Sequence, residues 1–124
     1  MKNLTFLLLS LIISFSSLAQ EKPKFKFETE TINYGAIKKG SDRVRFFEFT
    51  NIGESPLIIS KITASCGCTI PKKPENEILP GEKGQIEVSY DTNRLGEFTK
   101  SITIYSNAES SRKVLRIKGV VLVE

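Results

Sequence analysis

The sequence predicts an all-β fold: an immunoglobulin-like antiparallel β-sandwich of about seven strands, preceded by a signal peptide. Three observations predict it. Past Gln20, apolar side chains recur with period two in short runs, the spacing of a strand with one buried face. Clusters of Gly, Pro, Asn, Asp and Ser separate the runs at regular intervals. No run past Gln20 carries a sustained helical period.

The chain opens with a positive charge at Met1-Lys2-Asn3, an apolar run from Leu4 to Phe15, and small residues at Ser17 and Ala19. That is the order of a secretory signal peptide cut between Ala19 and Gln20. The expected division is therefore 1–19 as signal and 20–124 as a single domain. An uncleaved anchor would need about 18–20 apolar residues, and the run falls short. No cysteine follows the cut to accept a lipid. The mature chain holds no further apolar stretch long enough to span a membrane. The expected location is the periplasm or the extracellular space.

The strands follow in order. Phe25 and Phe27 alternate with Lys24, Lys26 and Glu28, and Ile32 and Tyr34 continue up to Gly35. Lys39 to Asp42 is a turn. In the aromatic-rich run Arg43 to Thr50, Phe47 and Phe49 share one face while Val44 and Phe46 share the other. Either both faces are partly buried or a bulge shifts the register. Asn51 to Pro56 is a turn. Leu57 to Ala64 is rich in β-branched residues, reads as buried, and runs into Cys66. Pro71, Pro74 and Pro80 bracket an irregular loop after Cys68, where the chain is expected to cross between sheets. Pro80-Gly81 ends that loop as a turn. Gln85 to Tyr90 is the most regular strand, with Ile86, Val88 and Tyr90 inward. Beyond a turn at Asp91 to Gly96, Phe98, Ile102 and Ile104 share a face, with Lys100 the exception. Leu115, Ile117, Val121 and Val123 define the last inward face, and Gly119 marks an expected bulge.

Composition narrows the function. The chain has 18 basic and 14 acidic side chains, a net charge of +4, and loss of Lys2 with the signal leaves +3. Lys22, Lys24 and Lys26 alternate, and Arg112, Lys113, Arg116 and Lys118 cluster near the last strand. They read as solvated faces that discourage edge pairing, or as an anionic-surface patch. Export argues against nucleic acid as partner. The chain has no His, no Trp and one Met. That excludes Ser-His-Asp and Cys-His catalysis within the chain, and any zinc site that needs an imidazole.

Several short stretches occur together in the order of a known bacterial family. They are Tyr34-Gly35 before Gly40, Phe47-Glu48-Phe49-Thr50-Asn51 with Gly53, Pro56-Leu57-Ile58-Ile59, Ser65-Cys66-Gly67-Cys68-Thr69, Leu79-Pro80-Gly81-Glu82 and Ser106-Asn107. On these the chain resembles domain of unknown function 1573, an exported family, from roughly Phe27 to Val121. The resemblance implies an immunoglobulin-like fold related in shape to the PapD-like and major sperm protein sandwiches. It implies no activity, because the family has none assigned.

The chemistry-bearing residues are Cys66 and Cys68. In an extended strand, positions two apart point to one face, so both sulfurs can be presented together. A disulfide needs the Cβ atoms near 3.8 Å, closer than a flat strand allows, so the chain must bend at Gly67. Four readings stay open. A free buried thiol pair is disfavoured by export. A structural disulfide closing so small a loop gains only about 1.6 kcal/mol. An exchange pair lacks a helix N-terminus or a His to favour a thiolate, leaving Lys61 or Lys72. Cu(I) suits two thiolates, without His or mature Met to complete the site. The expected function is a non-enzymatic interaction or scaffold module without a cofactor. Its expected partner is another envelope or secreted protein, reached through loops and free strand edges. The alternative is thiol–disulfide exchange or Cu(I) handling through Cys66 and Cys68.

Overall fold

A computed structural model describes residues 22–123, so the expected signal segment lies outside the described residues. Eight strands follow: β1 Phe25–Phe27, β2 Thr31–Lys38, β3 Val44–Asn51, β4 Ile59–Ala64, β5 Thr69–Lys72, β6 Lys83–Tyr90, β7 Gly96–Ser106 and β8 Arg112–Leu122. They form two four-stranded sheets, ordered β1-β3-β6-β5 and β2-β8-β7-β4. No helix occurs among the described residues.

The expected seven strands become eight because Thr69–Lys72, expected to be irregular loop, pairs with β6 as β5. The first pass along the sandwich is also split between the sheets. β1 pairs antiparallel with β3 in one sheet, and β2 pairs parallel with β8 in the other. The two segments run as one pass, so they share a direction that β3 opposes and β8 follows. The all-antiparallel expectation is therefore corrected at the β2–β8 pair. Period-two patterning tells which face of a strand is buried and nothing about the direction of its neighbour.

Alternation places the core as expected. Ile86, Val88 and Tyr90 of β6, Phe98, Ile102 and Ile104 of β7, and Leu115, Ile117 and Val121 of β8 are all buried. Each such side chain contributes about 1.5–3 kcal/mol on leaving water. In β3 the ladder to β6 runs without a break from Val44–Ser89 to Thr50–Lys83. Neither a bulge nor double burial is needed, since Phe47 and Phe49 point inward and Phe46 is 48% exposed. Val123 is also exposed, at 72%, because it lies past the end of β8. The stretch Leu57 to Ala64 is less buried than its composition suggests: Ile58, Ser60 and Lys61 are exposed. β4 is an edge strand, and its register shifts between Ile59 and Lys61.

The expected bulge at Gly119 lies one strand away. Along β2 the register to β8 shifts between Asn33 and Ala36, and Gly35 takes a φ of 75°. Gly119 faces that kink. A Cβ there would come within 2.9 Å of Tyr34 Cβ and Phe98 Cζ, so a side chain has no room.

Asn51 closes the turn that follows β3. It is fully buried. Its Oδ1 accepts from the N–H groups of Lys24 (3.2 Å) and Gly53 (3.0 Å). Its Nδ2 donates to the carbonyls of Ser55 and Ile78, both at 2.9 Å. One side chain thus ties together β1, the turn and the segment before β6. Leu79 to Glu82 makes a type II turn, with Pro80 at the position needing φ near −60° and Gly81 at φ 83°. Glu82 N–H closes it on the Leu79 carbonyl at 2.9 Å.

Candidate functional site

β4 ends at the edge of one sheet and β5 begins at the edge of the other. The four residues between them, Ser65 to Cys68, make the crossing. The expected crossing after Cys68 is corrected: the motif is itself the corner, and Pro71 sits inside β5. A proline is tolerated there because β5 is an edge strand.

At the corner Cys66 and Cys68 lie at disulfide distance, with Cα atoms 5.3 Å apart. That separation is within the usual range for a bridge. The two sulfurs have different surroundings. Cys68 is 7% exposed and belongs to the core, while Cys66 is half-buried and packs against it. The Cys68 N–H donates to Cys66 Sγ at 3.2 Å. Cys68 Sγ lies 3.7 Å from the Thr69 hydroxyl.

The backbone holds this corner through bonds that do not involve sulfur. Ser65 N–H donates to the Ser101 carbonyl at 3.0 Å, and Ser101 N–H returns to Ser65 Oγ at 3.1 Å. Thr69 N–H reaches the Cys66 carbonyl at 3.3 Å, and Asp91 N–H reaches the Cys68 carbonyl at 2.9 Å. Gly67 is exposed, its φ is not positive, and a Cβ there would meet nothing within 4 Å. The bend expected at Gly67 is present, but it does not draw on a left-handed conformation.

The expected cationic neighbours are elsewhere. Lys61 lies over the Tyr105 ring, 5.8 Å from its centroid. Lys72 pairs in register with Glu87. Lys100, which breaks the alternation of β7 in the sequence, is half-buried there and pairs in register with Ile117 of β8.

Near the corner, Tyr90 stacks on Phe98 with centroids 3.8 Å apart, and Tyr34 meets both edge-on. Tyr34 donates its hydroxyl to the Arg43 carbonyl at 2.7 Å, with the Arg45 guanidinium 4.2 Å above its ring. Burial pushes the Tyr34 phenol above its ordinary value, against an opposing pull from Arg45. Burial raises Tyr90 in the same way, opposed by Arg94.

A second feature lies on the outer face of the β1-β3-β6-β5 sheet. Register sets Val44 beside Ser89 beside Ile70, and Phe46 beside Glu87 beside Lys72. Phe46 and Ile70 are 48% and 66% exposed. Next to Phe46 a depression of about 220 Å³ is lined by Lys72, Lys73, Pro74, Gln85 and Glu87. The β5 edge beside it is short of donors for strand addition. Tyr90 N–H turns to β3 and Asp91 N–H to Cys68, so alternation turns Ser89 toward Ile70. Thr69 and Pro71 then face away from β6. The Thr69 N–H is already taken and Pro71 has none, so this edge offers no donor there.

Of the clustered basic residues, Arg112, Arg116 and Lys118 are exposed on one face of β8. Lys113 turns the other way and pairs with Glu30 at 2.8 Å. Lys24 pairs with Glu109 at 3.3 Å. Among the described residues, no group of three or more His, Cys, Asp or Glu side chains converges as a metal site would.

The family described as "Protein of unknown function (DUF1573)" matches residues 25–121. No curated protein matches the sequence. Among solved structures, a protein of unknown function from Porphyromonas gingivalis W83 is similar, with a TM-score of 0.72 at 17% identity over 86% of this chain and 50% of that one. The PapD-like domain 7 of human CEP192 is similar with a TM-score of 0.64 at 8% identity, covering 83% of this chain and 88% of that one. A chain of the CsuC–CsuE chaperone–tip adhesion subunit complex from Acinetobacter baumannii gives a TM-score of 0.58 at 14% identity, covering 79% and 57%. The chain spans half the length of the Porphyromonas protein. At these identities the likenesses establish the fold alone, an immunoglobulin-like sandwich of the PapD kind.

Proposed function

The chain belongs to the DUF1573 family of proteins of unknown function, and we propose on that footing that it is an exported, non-enzymatic interaction module. The carrying observation is that Phe46 and Ile70 are exposed on the same sheet face, one on each side of β6. Large apolar side chains exposed on one sheet face, with Lys72, Lys73, Glu75, Gln85 and Glu87 around the depression at Phe46, have the make-up of a docking patch: apolar anchors with a polar rim. The occupant is the surface of another envelope or secreted protein, seated face-on with one side chain in the depression beside Phe46. The CsuC–CsuE structure, a chaperone–subunit complex, supports this reading by analogy of fold only. At the β5 edge bordering this face, strand addition is disfavoured by the missing donors, which leaves the face itself to make the contact.

The test is site-specific photocrosslinking in the native envelope. A probe replacing Phe46 should give a discrete adduct that Ile70→Glu abolishes, while a probe replacing Thr99 on the opposite sheet gives none. Equal yields at both positions, or none at Phe46, would defeat the reading.

Cu(I) capture would require both sulfurs as thiolates. It therefore presupposes that the Cys66–Cys68 pair is first reduced.

A further inference from the structure

We propose that Cys66 and Cys68 form a thiol–disulfide exchange site that accepts two electrons from a dithiol of a partner protein, with Cys66 the attacked sulfur and Cys68 the leaving one. This inference does not depend on the docking face described above.

Four observations converge on it. The sulfurs are unequally exposed, so an incoming thiolate meets Cys66 first. Gly67 between them is exposed and carries no side chain, so nothing at that position screens the corner. Each sulfur has a hydrogen-bonding group beside it that can stabilise a thiolate: the Cys68 N–H for Cys66 and the Thr69 hydroxyl for Cys68. Finally, the corner is held by hydrogen bonds at Ser65, Thr69 and Asp91, none of which uses a sulfur atom. A staple whose loss would release nothing large is better suited to cycling than to bracing.

The chemistry balances as follows. A partner thiolate attacks Cys66 Sγ, a mixed disulfide forms, and the Cys66–Cys68 bond breaks. Cys68 leaves with the electron pair as a thiolate, beside the Thr69 hydroxyl. The partner's second thiolate then attacks its own sulfur in the mixed disulfide and expels the Cys66 thiolate, at which the Cys68 N–H is already aimed. Two protons lost by the partner thiols end on Cys66 and Cys68. The partner dithiol is oxidised to a disulfide and the corner is reduced to two thiols.

The test uses the full mature chain, oxidised at the start. It is equilibrated in glutathione buffers of graded ratio, quenched with acid, alkylated and weighed. Expected is a passage from mostly oxidised to mostly reduced within the range of those buffers, with the circular dichroism spectrum unchanged. A pair that stays oxidised in excess dithiothreitol under native conditions would overturn the proposal, and so would reduction that unfolds the chain. The polarity is read on the reduced parent chain, which avoids any variant. Limiting alkylation should label Cys66 at least about tenfold faster than Cys68, as unequal access to a thiolate requires. Cys68→Ser should then accumulate a mixed disulfide with glutathione that Cys66→Ser does not. Equal labelling rates would overturn the assigned roles.

Discussion

At the scale of single residues, Asn51 carries more than its place in a turn suggests. Its amide satisfies four backbone groups from three segments while fully buried. Asn51→Ala strands those groups and should cost about 2–4 kcal/mol, read by urea denaturation. Asn51→Asp should cost as much or more, since its carboxylate cannot donate to Ser55 and Ile78. The sequence shows this position only as the start of a turn. An Asn two residues before a Gly is common at turns, and nothing local says that distant segments converge on its amide. Cys66 and Cys68 make the opposite case. Two cysteines two apart stand out in the sequence, and the structure brings them to disulfide distance across a tiny loop. Replacing both by Ser should cost only about 1–2 kcal/mol.

The phenols set the response to alkali. Tyr34 and Tyr90 both have their folded pKa raised above 10.0 by burial. The folded state therefore holds protons that the unfolded state releases, and stability falls as pH rises past the unfolded value. Thermal melts should be flat up to about pH 9 and drop above about pH 10. Tyr34→Phe should flatten that drop, and an unchanged alkaline limb would count against a titrating core phenol.

At the scale of elements, alternation made most of the fold legible. The inward stripe of β6 is read correctly from Ile86, Val88 and Tyr90 alone. Val88→Asp buries an unpaired charge and should unfold the domain, a cost above about 4 kcal/mol. Glu87→Lys on the outward side should change stability by less than about 0.5 kcal/mol. Equal losses by circular dichroism melts would contradict the strand's orientation. Less was legible where backbone approach decides the outcome. Gly53 looks like a generic turn residue, but a Cβ there would lie 2.5 Å from the Lys22 carbonyl oxygen and Pro23 Cα. Gly53→Ala should displace β1 and lower the midpoint of thermal unfolding by several degrees, about 4–8 °C per kcal/mol lost. The sequence points to a bulge at Gly119 because a glycine inside a strand marks either a bulge or a close approach. Sequence alone cannot choose between these, and the kink belongs to Gly35 on the neighbouring strand.

At the scale of the whole molecule, the corner and the proposed docking face could not be derived from periodicity. The docking face required the registers of β3, β5 and β6 together, because Phe46 and Ile70 are remote in sequence. The corner's asymmetry required knowing which sulfur turns into the core. The expected cleavage before Gln20 belongs to this scale as well. Intact mass of protein taken from its native envelope should start at Gln20, and a chain retaining Met1 would contradict it.

The split first strand has a mechanical consequence. The chain enters near Pro23, whose carbonyl accepts from Glu109, at one end of the sandwich. It leaves past Leu122, whose carbonyl accepts from Lys39, at the other. Because β2 and β8 run side by side in the same direction, a pull on the two ends drags them past each other along their length. Every bond between Thr31–Arg116 and Lys38–Leu122 then carries load at once, in shear, instead of opening one after another like a zip. In a single-molecule stretching experiment the domain should yield in one abrupt event. Swapping the direction of pull, by attaching the handles at Glu28 and Ser110, which lie near the same end, should bring the yield force down sharply.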